Sequence, residues 1–201
     1  MKNLRRITRA LTAVFALTTL TLAPSTALAA VPTEPTTAVT SGSADWGVKE
    51  SFRNYVKRGN GNPPIAATDG ATINTDGTFH FSFTSGDHDP ATGTAEVNYR
   101  GTVVFSYPLH QFTVTVQDPT VVVTATEAKL VATITSATGG APGTPARVDF
   151  VTLTRTTPTV NGSTTTWTNV PATLTEAGAQ AFAGFYTAGT AFDPLSFNVT
   201  A

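Results

Sequence analysis

The stretch Asp45 to Arg58, DWGVKESFRNYVKR, sets a tyrosine on the apolar stripe of a helical pattern. Val48, Phe52, Tyr55 and Val56 recur at i, i+4, i+7 and i+8, one face of a 3.6-residue period, while Lys49, Glu50, Arg53, Asn54 and Lys57 take the other. On periodicity alone Tyr55 reads as an amphipathic side chain with its ring in a core and its hydroxyl at the rim. The remaining groups with chemical potential are few. Asp87-His88-Asp89 could hold a cation but reads as a solvated turn before Pro90, and His80, alternating with Phe79 and Phe81, belongs on the polar face of a strand. With three histidines and no cysteine, a transition-metal site made only of protein ligands is hard to assemble. There is no G-x-S-x-G elbow, Walker loop, G-x-G-x-x-G or H-E-x-x-H, and the GNG at Gly59 to Gly61 follows a helix rather than a strand. An enzyme is not expected.

The elements that must position these residues follow a leader. Lys2, Arg5, Arg6 and Arg9, an apolar run from Ala10 to Leu22, and Ala27-Leu28-Ala29 form the pattern of a bacterial secretory signal peptide over residues 1–29. The run is too short and too interrupted by Thr for a membrane span. Residues 30–42, rich in Pro and Thr, read as a flexible lead-in, and 43–201 as a single domain. The leader holds four of the 12 basic residues and none of the 13 acidic ones, which leaves eight against 13 and a net charge of −5. That balance argues against nucleic acid or an anionic membrane as partner. The absence of Cys removes both a disulfide framework and a lipid-modified N-terminal cysteine, so stability must come from an apolar core.

Asp45 is a candidate cap for the first helix and Gly59 a candidate stop. From Ala71 to Phe150 the period switches to two, in TFHFSF, TAEVNYRGTVVFSY, HQFTVTVQ, TVVVTAT and KLVATIT, separated by turn signals GDHDPATG, QDP and ATGGAPGTPA. A second helix is expected from Glu176 to Tyr186, capped by Thr175, with Ala179, Phe182, Phe185 and Tyr186 on one face and with Gly178 and Gly184 inside it where a neighbour approaches the backbone. PLSFNVT reads as a closing strand. The expected fold is mainly β (α+β): two packed antiparallel sheets, a β-sandwich, with an N-terminal and a C-terminal helix.

Three stretches, in order, carry a resemblance: WGVKESFRNYV at Trp46 to Val56, GTVVFSYPLHQFTVTVQDPTVVV at Gly101 to Val123, and LTEAGAQAFAGFYTAGTAFDPLSF at Leu174 to Phe197. Together they resemble one domain of the HtaA family, the haem-binding modules of actinobacterial haem uptake. The resemblance implies ferric haem b bound by Tyr55 as axial ligand to the iron, supported by His110 from the central strands and by Tyr186 from the closing segment. The histidine lies in a Y-P-x-H-x-F form, two positions after the place of the family's G-H pair. Phe52, Phe182 and Phe185 become candidate walls for a flat apolar ligand, or plain core, and Arg53 a candidate contact for a propionate.

So read, the chain is a secreted or loosely wall-associated protein that captures haem and relays it to a membrane-bound receptor or another haem-binding protein. A structural or adhesive cell-surface β-domain without ligand is the alternative, and a carbohydrate-binding module stacking sugars on Trp46 or Trp167 a third. Peroxidase-type turnover is not expected, because no second histidine is placed as a distal acid-base group.

Overall fold

The computed structural model describes residues 37–201; the leader expected over 1–29 lies outside them. Thirteen strands join in one antiparallel sheet. They are β1 (Thr37–Ala38), β2 (Ser41–Trp46), β3 (Ile65–Thr68), β4 (Ala71–Ile73), β5 (Phe79–Asp89), β6 (Thr94–Arg100), β7 (Thr102–Tyr107), β8 (Phe112–Val123), β9 (Ala128–Thr138), β10 (Ala146–Leu153), β11 (Thr159–Asn161), β12 (Thr164–Leu174) and β13 (Ala191–Thr200). The path β5-β2-β13-β12-β10-β9-β8 closes on itself because β6 pairs with both β8 and β5. Eight strands therefore form a closed barrel, with β1, β3, β4, β7 and β11 added to its outer edges. β1 and the start of β2 fall within the segment 30–42.

This corrects the expected pair of packed sheets. Alternation of Phe79 and Phe81 with polar neighbours specifies an inside and an outside, and a barrel satisfies it as well as a sandwich does. What decides is the pairing of β6 on two sides, Ala95 to Asn98 against Thr120 to Val123 and Thr94 to Arg100 against Ser82 to Asp89. Irregular registers at Gln117/Thr120 in β8 and Asp149/Val151 in β10 bend those strands around the barrel. The turn expected at GDHDPATG is shorter than its composition suggests, since β5 runs through Asp89 and His88 and Asp89 are both buried.

Both helices are shorter than their periodic patterns. α1 spans Glu50–Lys57, and Trp46 and Asp45 belong to β2, so Asp45 is not its cap. Phe52 and Val56 are buried, each contributing about 1.5–3 kcal/mol of transfer free energy. α2 spans Glu176–Ala181, with the Thr175 hydroxyl accepting the Gly178 N–H as expected. It ends early because Ala183 takes φ 56° and Gly184 φ 68°, and Gly184 N–H and Ala183 N–H turn back to the carbonyls of Ala179 and Gln180. Gly178 does meet a close neighbour, for a Cβ there would overlap the Phe150 carbonyl of β10; Gly184 has nothing within 4 Å and serves backbone conformation instead.

The two helical segments meet at one mouth of the barrel, where Trp46, Phe79, Phe112 and Ala191 start or end their strands. Phe52 and Phe182 pack with ring centroids 4.8 Å apart and are 1% and 0% exposed, so both are core rather than walls of an open site.

Candidate functional site

Tyr55 leaves the core two residues before α1 ends and remains 38% exposed. Its hydroxyl lies 2.5 Å from Nδ1 of His110. The histidine comes from a one-turn 3-10 helix, Pro108–His110, between β7 and β8. Pro108 begins that turn with a φ already suited to it, and Gln111 closes it in the left-handed region, φ 51°, donating its N–H to the Pro108 carbonyl at 2.9 Å. Tyr107 then stacks on the imidazole, centroids 4.1 Å apart and planes 9° from parallel, and holds the ring against rotation. Phe112 lies nearly parallel to the Tyr55 ring at 6.0 Å.

Contacts at both ends fix α1 relative to that turn. At its C-terminal end, Asn60 Oδ1 accepts the Leu109 N–H at 2.8 Å, and Gly59 lies so close to Tyr107 that a Cβ would come within 2.6 Å of the ring. At its N-terminal end the cap residue Lys49 makes no side-chain cap bond. The task falls to Asp193 of β13. Its Oδ1 accepts the Glu50 N–H at 2.9 Å and its Oδ2 pairs with the Arg53 guanidinium. Arg53 also donates to the Gly47 carbonyl at 2.5 Å, and Trp46 Nε1 donates to the Asp193 carbonyl at 2.7 Å. Arg53 is thus 6% exposed and committed to Asp193, which removes it as a propionate contact. The negative carboxylate also complements the positive end of the helix.

Tyr186 belongs to the same surface one helical turn back. Its hydroxyl is 3.2 Å from Ser51 Oγ, four residues before Tyr55, and Lys49 Nζ stands 5.3 Å from its ring centroid while donating to the Ala191 carbonyl at 2.8 Å. Phe185, 36% exposed, packs on Phe112 at 5.0 Å. Leu109, 70% exposed, projects beside His110. The three residues expected from the sequence, Tyr55, His110 and Tyr186, therefore share one open apolar face rimmed by hydroxyls and a cation. Sequence reasoning missed Ser51, Tyr107, Phe112, Asn60 and Asp193. Only Ser51 carried a legible signal, its spacing of four from Tyr55 on one helix face.

Neither tryptophan offers a stacking platform, since Trp46 and Trp167 are 1% and 4% exposed. No helix among the described residues is long and apolar enough to cross a membrane, and no group of three or more His, Asp or Glu among them could hold a metal ion.

The fold and site define a closed antiparallel barrel that presents a tyrosine–histidine pair at one mouth. Residues 41–198 match the HtaA (Htaa) family, and the chain belongs to it. The C-terminal domain of HtaA from Corynebacterium glutamicum is 29% identical, with a TM-score of 0.68 over 81% of this chain and 98% of that one. The N-terminal domain of the same protein is 25% identical, with a TM-score of 0.60 over 81% and 97%. The haem-binding protein HtaB from C. glutamicum shares the fold at 21% identity, with a TM-score of 0.64 over 83% and 96%. A comparison with curated proteins finds no match.

Proposed function

We infer that this chain binds ferric haem b at the Tyr55 face, as cargo in haem uptake, and that it works outside the cytoplasm, where it passes haem to a membrane-bound receptor or a second haem-binding protein. The observation that carries the reading is the 2.5 Å contact between the Tyr55 hydroxyl and His110 Nδ1 on an exposed apolar face. The donor set suits ferric haem: one hard oxygen ligand, aromatic walls for a planar apolar disc, and hydroxyls with a cation at one edge for carboxylates.

An unperturbed phenol titrates near pH 10 and is a poor ligand when protonated. The ferric ion supplies the charge that favours the phenolate form when haem is bound. His110 completes the exchange from the protein's side: its Nδ1 takes the proton from the Tyr55 hydroxyl and then holds it as an N–H donor to the phenolate oxygen. Stacking by Tyr107 keeps that nitrogen aimed at the oxygen. Phe185, backed by the buried Phe112, covers the apolar ring system, while Ser51, Tyr186 and Lys49 face the carboxylate edge. Returning the proton from His110 to Tyr55 reverses the process, which is what a carrier that releases its cargo requires.

Titration of the chain with hemin tests the reading. The expected result is a saturating Soret band with a charge-transfer band of tyrosinate-ligated high-spin iron, both lost in Tyr55→Ala. Equal binding by the variant, or no saturation by the wild-type chain, overturns it.

A further inference from the structure

The other mouth of the barrel holds a cavity of about 300 Å³. It lies where β8 ends at Val123 and β9 begins at Ala128, the opposite ends of these strands from Phe112 and Thr138, and hence away from the Tyr55 face. Leu153, Trp167, Val170 and Phe197 give it apolar walls, with Trp167 stacked on Phe197 at 4.5 Å and 7°. Two polar groups on its lining lack a full set of partners within the chain: Arg155, an exposed side chain whose other N–H groups face water, and Thr156. Arg155 donates one N–H to the Ala125 carbonyl, but no carboxylate lies within ion-pair distance of its guanidinium among the described residues. The Thr156 hydroxyl oxygen is buried and has no hydrogen-bond partner. A buried polar atom left unpaired is uncommon in a folded chain, and an ordered water or a ligand oxygen satisfies it.

We propose that this mouth is a second ligand site, for a small organic carboxylate with an apolar alkyl or aromatic body. The mouths of β-barrels are recurrent ligand sites, and the volume falls at the lower end of the range of about 300–1,000 Å³ for small-molecule pockets. The apolar body of the ligand fills the cavity against the atoms that Leu153, Trp167, Val170 and Phe197 present to it and displaces water from there. Its carboxylate accepts from the free N–H groups of Arg155, a planar donor fork matched to two oxygens, and from the Thr156 hydroxyl. The ligand thereby pairs the rim cation and the orphaned hydroxyl with one group. An amine of the same length would meet Arg155 with like charge, and an alcohol would leave the guanidinium without a counter-ion, so the site discriminates by head group.

The test is a ¹H–¹⁵N NMR titration of the full chain with octanoate, and in parallel with octylamine and octanol. The indole N–H of Trp167 is the reporter, and that of Trp46, bonded to the Asp193 carbonyl near the other mouth, is the internal control. Octanoate is expected to give a saturating shift at Trp167 with none at Trp46, at least about tenfold tighter than octylamine or octanol. Arg155→Gln and the near-isosteric Thr156→Val are each expected to weaken octanoate by about tenfold, Thr156→Val doing so without loss of the native spectrum. A Trp167 signal that does not saturate, equal binding of octylamine, or variants that bind octanoate like the wild type overturn the proposal. None of these outcomes depends on whether haem binds at Tyr55.

Discussion

Asp193 and Arg53 are separated by 140 residues in the chain and paired across the barrel mouth, so that the last strand, β13, holds the helix that follows β2. The same carboxylate caps the Glu50 N–H, which no nearer side chain does. Removing it leaves a buried guanidinium and an uncapped helix together. Asp193→Ala is expected to lower stability by about 3–5 kcal/mol, read from the urea midpoint. Asp193→Asn, which can still accept from Glu50 N–H, should lose less. The double variant Arg53→Met/Asp193→Asn should recover part of the loss relative to Asp193→Ala, since no unpaired charge remains buried. Haem should dissociate faster from each variant in the same order.

His110→Ala removes the partner of the Tyr55 hydroxyl but not the oxygen proposed to meet the iron. Hemin is expected still to bind, with an altered charge-transfer band and an affinity lower by about tenfold, about 1.4 kcal/mol. Tyr55→Phe, which keeps the ring and loses the oxygen, should abolish the band altogether. Identical spectra for His110→Ala and wild type would show that the 2.5 Å contact does not survive haem binding.

Gly59→Val should act on the site at a distance. The new side chain would strike the Tyr107 ring, which is the support on which His110 stacks. Because Gly59 lies in the loop after α1 and not in the barrel, the midpoint of thermal unfolding should fall modestly while haem affinity falls more. A variant with native affinity would show that Tyr107 can move without disturbing His110.

Acid should weaken the fold through His88. This residue is 3% exposed and stands edge-on to Trp167, and burial holds its pKa below the ordinary 6.5, only partly offset by the Asp89 carboxylate. The native state therefore binds fewer protons than the unfolded chain, and stability rises with pH across that window. It is complete above about pH 6.5 and declines as pH falls below it toward the depressed native value. Asp89, whose pKa is lowered by the Thr92 hydroxyl, the backbone N–H groups of Ala91 and Thr92, and His88, adds its own loss only below its ordinary 3.8. Unfolding midpoints at pH 7.5 and 5 should thus differ in the wild type and converge in His88→Gln.

The sequence was most informative where the signal was local. The stripe through Phe52 and Val56 announced α1, and the residues singled out in the three motif stretches, Tyr55, His110 and Tyr186, lie on one face. Closure of the barrel was not legible, because alternation along β5 or β8 is the same whichever strand pairs beside it; only the double pairing of β6 distinguishes the two architectures. The fate of Arg53 was hidden for a related reason. Its helical phase put it among polar residues, and no local pattern reveals a carboxylate arriving from β13. His88 was misread because Asp87, Asp89 and Pro90 have turn composition, although the strand continues through Asp89 and points the imidazole inward.

The lock between β13 and α1 also orders events in time. Synthesis completes α1 long before the strand that caps it, so a chain lacking β13 holds Tyr55 without the contacts that fix its helix. On the reading proposed above, a polypeptide ending before β13 is expected to bind haem no better than Asp193→Ala does.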